Sequence, residues 1–236
     1  MIKLLKFKGD ESKYFFVSDL HYRHTKDFLW SKRKDAKGNF YQNSEDHDSG
    51  IKALWNSVCN SESIVYNMGD IVFNDSKGDH FWSLLRQLNF REMYLLLGNH
   101  TSGQRQAYIA GMKFQHPNAF DIVDGVEQLT YEVYPLRVAV DGNPNKVVIF
   151  LPQYAEIQIN STQLILCHYP ILSHNGMSHN SLHICGHSHS GCELTNKDTG
   201  KGLRLDVGVE SFGRPINLLE VKRHLQGRDI DSRDHH

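Results

Sequence analysis

Tyr14-Phe15-Phe16-Val17-Ser18-Asp19-Leu20-His21 decides how the rest of the chain is read. Tyr14–Ser18 is a short β-rich apolar run and predicts a buried strand; two residues able to hold a cation, Asp19 and His21, follow where it ends. The arrangement recurs along the chain. Ser63–Asn67 (SIVYN) predicts a strand and leads through Met68 into Gly69-Asp70. Glu92–Leu97 (EMYLLL) predicts a strand ending in Gly98-Asn99-His100, and Gln163–Cys167 (QLILC) one ending in His168. Leu182–Cys185 predicts a short strand followed by Gly186-His187-Ser188-His189. In α/β proteins, ligand sites gather outside the carboxyl ends of the strands, so residues far apart in sequence can converge there.

Between these strands the pattern is helical in the first half of the chain. Ile51, Leu54, Trp55 and Val58 recur at helical spacing within Ser49–Cys59, and Phe81, Trp82, Leu84, Leu85 and Leu88 do so within Asp79–Leu88. Residues 31 to 50 are polar and read as a surface loop. From Phe120 to Ile159 the chain reads as short strands with turns at Asp124-Gly125 and Asp141-Gly142-Asn143-Pro144. Leu203–Val207 and Ile216–Val221 look like closing strands. This order predicts an α/β protein with mixed sheets, two of them packed face to face between helices, and a single domain without repeats or linkers. Its core would run from about 14 to 221, with 222–236 as a tail.

The 236 residues suffice for a sizeable core, and 39% hydrophobic with 22% charged is ordinary for a globular protein. A net charge of −1 lacks the basic excess that holds nucleic acid through counterion release, though it leaves room for local basic patches such as Lys32-Arg33-Lys34. No apolar stretch approaches the roughly 20 residues of a membrane helix. The four cysteines (Cys59, Cys167, Cys185, Cys192) form no CxxC pair, which removes a zinc-ribbon reading and predicts free thiols in a reducing, cytoplasmic setting. Histidine is the outlier at fifteen, of which His235 and His236 are set aside as the remnant of a tag.

Imidazole and carboxylate suit first-row cations (Mn, Fe, Zn, Ni, Co), and the missing thiolates argue against a structural zinc site. Asp70 can bridge two ions through its two oxygens, and Asn99 can supply a neutral oxygen. Two cations about 3.5–4 Å apart can hold a hydroxide between them and neutralise phosphoryl oxygens. Asp-x-His alone is a weak signal and Gly-Asp alone reads as a turn. Gly-His-x-His is stronger, because alternate residues of an extended segment point to the same side. The ordered set of five, each after an apolar strand, carries the reading.

That order, D-x-H, G-D, G-N-H, H, G-H-x-H, resembles the calcineurin-like metallophosphoesterases. Three stretches, FFVSDLHYRH (15–24), WNSVCNSESIVYNMGD (55–70) and LDVGVES (205–211), look like the small bacterial and phage phosphohydrolases of that superfamily. The resemblance implies a four-layer α/β/β/α sandwich of two mixed sheets, with a dinuclear metal site at the strand ends. It implies one ion on Asp19, His21 and His189, the other on Asn99, His168 and His187, and Asp70 between them; manganese heads the candidate metals. It implies hydrolysis of a small, nucleotide-type phosphoester, with His100 as the non-ligating histidine that assists the leaving group. A nuclease, a protein phosphatase and a non-catalytic metal-binding scaffold are the alternatives. The protein phosphatases carry G-D-x-V-D-R-G and G-N-H-E, whereas this chain has Phe73 and Asn74 after Gly69-Asp70-Ile71-Val72, and Thr101 after His100. Asn74 and Asp75 are nearby substitutes for the Asp that Phe73 replaces.

Further candidates each have a plainer reading. Arg23, His24 and Asn74 could contact substrate or sit in exposed loops. His174 and His179 lie in a polar loop that rims the site or is merely solvated, and His183 reads as structural. Tyr169 and Pro170 shape the turn presenting His168. Cys167 and Cys185 read as buried, inert thiols, and Trp55, Phe81 and Trp82 as core. Oligomeric state stays open.

Overall fold

The computed structural model describes residues 4–197 and 202–229. From the N-terminus, β1 (Leu5–Phe7) and β2 (Tyr14–Val17) precede α1 (Asp27–Trp30) and α2 (Ser44–Val58). Then come β3 (Ile64–Asn67), α3 (Asp79–Gln87), β4 (Glu92–Leu95) and α4 (Ser102–Gln115). A run of strands follows: β5 (Phe120–Val123), β6 (Val126–Leu129), β7 (Leu136–Val140), β8 (Asn143–Phe150), β9 (Tyr154–Ile159), β10 (Thr162–Cys167) and β11 (Leu182–Cys185). The chain continues through β12 (Arg204–Asp206), α5 (Val209–Phe212), β13 (Ile216–Asn217) and α6 (Leu218–Leu225).

The strands form two large mixed sheets. One has six strands in the order β13-β2-β3-β4-β8-β7, with β2, β3, β4 and β8 parallel. The other has five, β1-β9-β10-β11-β12, with β10, β11 and β12 parallel. A separate two-stranded hairpin pairs β5 with β6. Side-chain alternation divides the six-stranded sheet between two cores. Phe15, Val17, Val65, Met93, Leu95 and Phe150 pack under α2, α3 and α4 with Trp55, Phe81, Leu85 and Tyr108. Phe16, Tyr66, Tyr94 and Ile149 point the other way, onto Ile157, Leu164, Leu166, Ile184 and Leu205 of the five-stranded sheet.

The resemblance implies a further helical layer, but what packs on His183 and Arg204 of the five-stranded sheet is residues 169–181, an irregular segment of bends and turns with one 3-10 turn (Met177–His179). The backbone N–H of Ile171 donates to His183 Nε2 (3.1 Å), and Arg204 Nε donates to the carbonyl of Ile171 (3.2 Å). Helix α6 lies against β2, β12 and β13. Three sequence readings need correction. Ser44 to Gly50 is helix rather than loop, because Asn43 caps it by accepting from the Asp46 N–H at 2.8 Å. Ile216–Val221 is a two-residue strand that turns into α6, so the segment from Lys222 to Leu225 is helix and not tail. Helix α4 and strand β1 were not anticipated. His235 and His236 lie outside the described residues.

Candidate metal centre

Every predicted ligand sits just past the carboxyl end of a strand, and the strand order brings the ends together. Asp19, Asp70 and Asn99 follow β2, β3 and β4 of one sheet; His168 follows β10, and His187 and His189 follow β11, of the other. The site therefore straddles both sheets at one edge of the sandwich.

Two local features make this convergence feasible. The first is small residues before the ligands: a Cβ at Gly98 would meet Asp70 Oδ1 at 2.2 Å, and one at Gly186 would meet Asp19 Oδ2 at 2.4 Å. The second is backbone conformation. Asp19 (φ 57°), His21 (49°), Asp70 (54°), His187 (66°) and His189 (47°) all lie in the left-handed region, which non-glycine residues adopt uncommonly. Each such residue costs of the order of 1–3 kcal/mol and persists only where its surroundings over-determine it; such strain clusters at functional sites.

Asp19, His21, Asp70 and His168 are buried to 3% exposure or less. His21 Nε2 lies 3.8 Å from Asp19 Oδ1 and 3.9 Å from Asp70 Oδ2, and His168 Nε2 lies 3.5 Å from Asp70 Oδ2. His189 Nε2 is 4.0 Å from Asp19 Oδ1. Asn99 Oδ1 stands between two imidazoles, 2.8 Å from His168 Nε2 and 2.9 Å from His187 Nδ1. Two groupings could each hold a cation: Asp19, His21 and His189, and Asp19, Asp70 and His168.

The chemistry of these donors fits a cation. Asp19 Oδ1 and both ring nitrogens of His21 are buried without a hydrogen-bond partner, and a buried polar atom left unsatisfied costs about 1–3 kcal/mol. His168 Nδ1 donates to the Met68 carbonyl at 3.0 Å, so its Nε2 presents a lone pair to Asn99 Oδ1 and Asp70 Oδ2. Lone pairs converge there without a proton between them, and a cation makes such contacts favourable. Titration behaviour agrees. Burial pushes Asp19 up to about 7 against the pull of His189. Burial also drives His21 far below its ordinary value, with the Arg33 charge adding to it, and lowers His168 against the pull of Asp70. These groups face inward as neutral imidazoles and a reluctant carboxylate, the states in which a nearby positive charge is most stabilising.

Around the donors stand residues that the sequence reading did not place there. Glu210 Oε1 accepts from His189 Nδ1 at 2.7 Å, and Arg33 holds the same oxygen. Burial would raise the Glu210 carboxyl, but Arg33 and His189 bring it down to about 2. Arg33, which falls within the stretch read above as a surface loop, is 4% exposed. Asp206 Oδ2 accepts from Ser188 Oγ (2.6 Å) and the Ser190 N–H (3.1 Å), bracing the turn that carries His187 and His189. Glu210 and Asp206 lie in the LDVGVES stretch, which was the available signal; nothing local marks Arg33.

His100 lies at the rim. Its backbone N–H donates to Asp70 Oδ1 at 2.8 Å, and its ring is 5.4 Å from that of His21. Phe73 lies between two imidazoles, 4.2 Å from the ring of His24 and 5.4 Å from that of His100. Asp75 does not orient His100: its oxygens accept from the N–H groups of Gly78 (3.0 Å) and Phe81 (2.8 Å) at the start of α3. Asn74 and Arg23 are exposed, and the N–H of Arg23 donates to Asp48 at 3.0 Å. His24 is buried, and burial lowers its pKa. His174 is buried against His183 rather than solvated or at the rim, while His179 is exposed. Cys167 and Cys185 are buried thiols held protonated by burial.

Comparison with known proteins gives a fold and little more. No family model matches the chain. The uncharacterized protein MJ1445 of Methanocaldococcus jannaschii is 28% identical over 88 residues, which are 37% of this chain and 46% of that protein. The chain thus spans less than half the length of that relative. The crystal structure of AQ665 from Aquifex aeolicus, a protein of unknown function, superposes with a TM-score of 0.52 at 17% identity, covering 89% of this chain and 97% of that one. That likeness is one of fold. None of the helices is long and apolar enough to cross a membrane among the described residues.

Proposed function

We propose that the chain hydrolyses phosphoesters at a site for two divalent cations, and that its substrates are small diesters of nucleotide or aryl type. One observation carries the reading: Asp19, His21, Asp70, His168 and His189 converge around buried, unpartnered atoms of Asp19 and His21, with Asn99 between His168 and His187 beside them. Asp19, His21 and His189 would hold one cation and Asn99, His168 and His187 the other, with Asp70 shared. When bound, such a pair neutralises phosphoryl oxygens and makes water acidic enough to react near neutral pH. The protein's own groups do the rest. Asp70 and Asn99 follow the ends of β3 and β4, and exposed His100, its ring 5.4 Å from that of His21, would give a proton to a departing alkoxide. Phe73, where the protein phosphatases carry a carboxylate, argues against phosphoprotein chemistry. Tyr169, 43% exposed with its ring 4.6 Å from that of His187, offers a face for a base or aryl group.

The test is turnover of bis(p-nitrophenyl) phosphate by purified protein supplied with manganese, alongside metal content by mass spectrometry. Wild type should carry two ions per chain and turn over; Asp70→Asn and His168→Asn should lose at least 100-fold in kcat. Wild type that binds metal but cleaves no mono- or diester would leave the scaffold reading, and variants as active as wild type would remove the site.

A further inference from the structure

Arg33 reaches the candidate site from residues 31–43, the loop between α1 and α2, and touches groups on both sides of that loop and one, Glu210, far along the chain. Its Nη1 donates to the Leu20 carbonyl (2.8 Å) and its Nη2 to the Asp19 carbonyl (2.7 Å). Nη1 also lies 2.8 Å from His47 Nε2, and Nε donates to Glu210 Oε1 at 2.8 Å. His47, fully buried on α2, accepts through Nε2, which leaves its Nδ1–H facing Asp48 Oδ1 at 3.3 Å. The guanidinium is thus held in a single orientation by groups on three segments, and its planar fork matches them as an ammonium could not.

These contacts converge on one half of the site. The two carbonyls belong to Asp19 and Leu20, in the left-handed turn that aims Asp19 and His21 inward. The carboxylate belongs to Glu210, whose Oε1 takes the Nδ1–H of His189 and so turns the Nε2 lone pair of that ring toward Asp19. Asp19, His21 and His189 form one of the two cation groupings. The side chains of the other half have different supports: His168 donates to the Met68 carbonyl and His187 packs on Tyr169, although the backbone N–H of His187 donates to Asp19 Oδ2 at 2.9 Å. On the strength of the two-cation reading, we infer that the Arg33–Glu210 pair is a positioning element that acts chiefly on one of the two cations, the one on Asp19, His21 and His189.

The inference is tested by titrating metal-stripped full-length protein with Co(II), following the visible d–d bands and the stoichiometry by calorimetry. Wild type should take up two ions. Glu210→Gln keeps the size of the side chain but loses its charge and should weaken one ion by 10–100-fold, the usual effect of losing an outer partner of a metal-bound histidine. Arg33→Lys should weaken the same ion and Glu210→Asp should recover part of the loss, while the second ion stays within about twofold. His168→Asn should show the reverse pattern. Because a buried charge left alone can unfold the chain, circular dichroism is recorded for each variant, and Arg33→Met/Glu210→Gln, which removes both charges, serves as the folded control. Two ions bound with wild-type affinity in Glu210→Gln and Arg33→Lys would overturn the inference alone. Equal loss of both ions would do so too, and wild type that binds none would overturn the two-cation reading itself.

Discussion

At the scale of single residues, Gly98 has no room for a side chain. A methyl group there would meet Asp70 Oδ1 at 2.2 Å and His168 Cε1 at 2.8 Å, both buried and held by other contacts. Gly98→Ala should lower stability by about 1–3 kcal/mol, as overpacking does, and cut turnover by more than tenfold; thermal melting and a phosphodiesterase assay check both. His100 gives a second prediction. If it protonates the leaving group, His100→Ala should lose roughly 10²–10⁴-fold with an alkyl leaving group and far less with p-nitrophenolate, which departs unprotonated; equal losses would rule out that role. His183 gives a third. It is buried with Nδ1 donating to the Ile165 carbonyl, and burial pulls its pKa down to about 4. The unfolded chain, with an imidazole near 6.5, binds a proton between about 6.5 and 4 that the folded chain does not. Stability is full above that window and falls as pH drops through it, by up to about 3 kcal/mol from this group. Urea midpoints from pH 7.5 to 4.5 should fall less steeply in His183→Asn than in wild type. The seven donors were legible because each follows an apolar run. Arg33 and Glu210 were not, since 177 positions separate them and no local pattern records the contact.

Among elements, the helix ends show what governs the order of the chain. Helix α6 begins at a capping box, with Asn217 Oδ1 accepting from the Glu220 N–H (3.0 Å) and Glu220 Oε2 accepting from the Asn217 N–H (2.9 Å). The apolar Ile216–Val221 run masks that box, which is why it reads as a strand. Asn217→Ala should cost about 1 kcal/mol, seen as a lower melting temperature with unchanged metal stoichiometry. Helix α4 escaped notice for a different reason. Its buried face carries Gly103, Ala107 and Gly111, four residues apart, with Gln104, Tyr108 and Met112 beside them. Small residues packed close to a neighbouring strand leave no hydrophobic stripe; a Cβ on Gly111 would lie 2.7 Å from Val138 Cγ2. Both Asp-Gly turns were readable because each demands two successive positive φ values, 51° and 75° at Asp124-Gly125 and 51° and 74° at Asp141-Gly142.

For the whole molecule, the two sheets meet across a core of Phe16, Tyr66, Ile157, Leu166 and Ile184 and again at the candidate site. Cations bound there would tie the sheets together and stabilise only the docked state. Manganese at 100 times its dissociation constant should add about 2.7 kcal/mol of stability, raising the melting temperature, and a chelator should reverse the rise. An unmoved transition in both conditions would contradict the shared site.

The division of donors between sheets also orders events in time. Asp19, His21, Asp70 and Asn99 leave the ribosome well before His168, His187 and His189, and a domain folds as a unit once its chain is complete. A nascent chain halted before His168 would hold only half a cage. Metal capture by a growing polypeptide would thus mark the moment when its last strands lock into place.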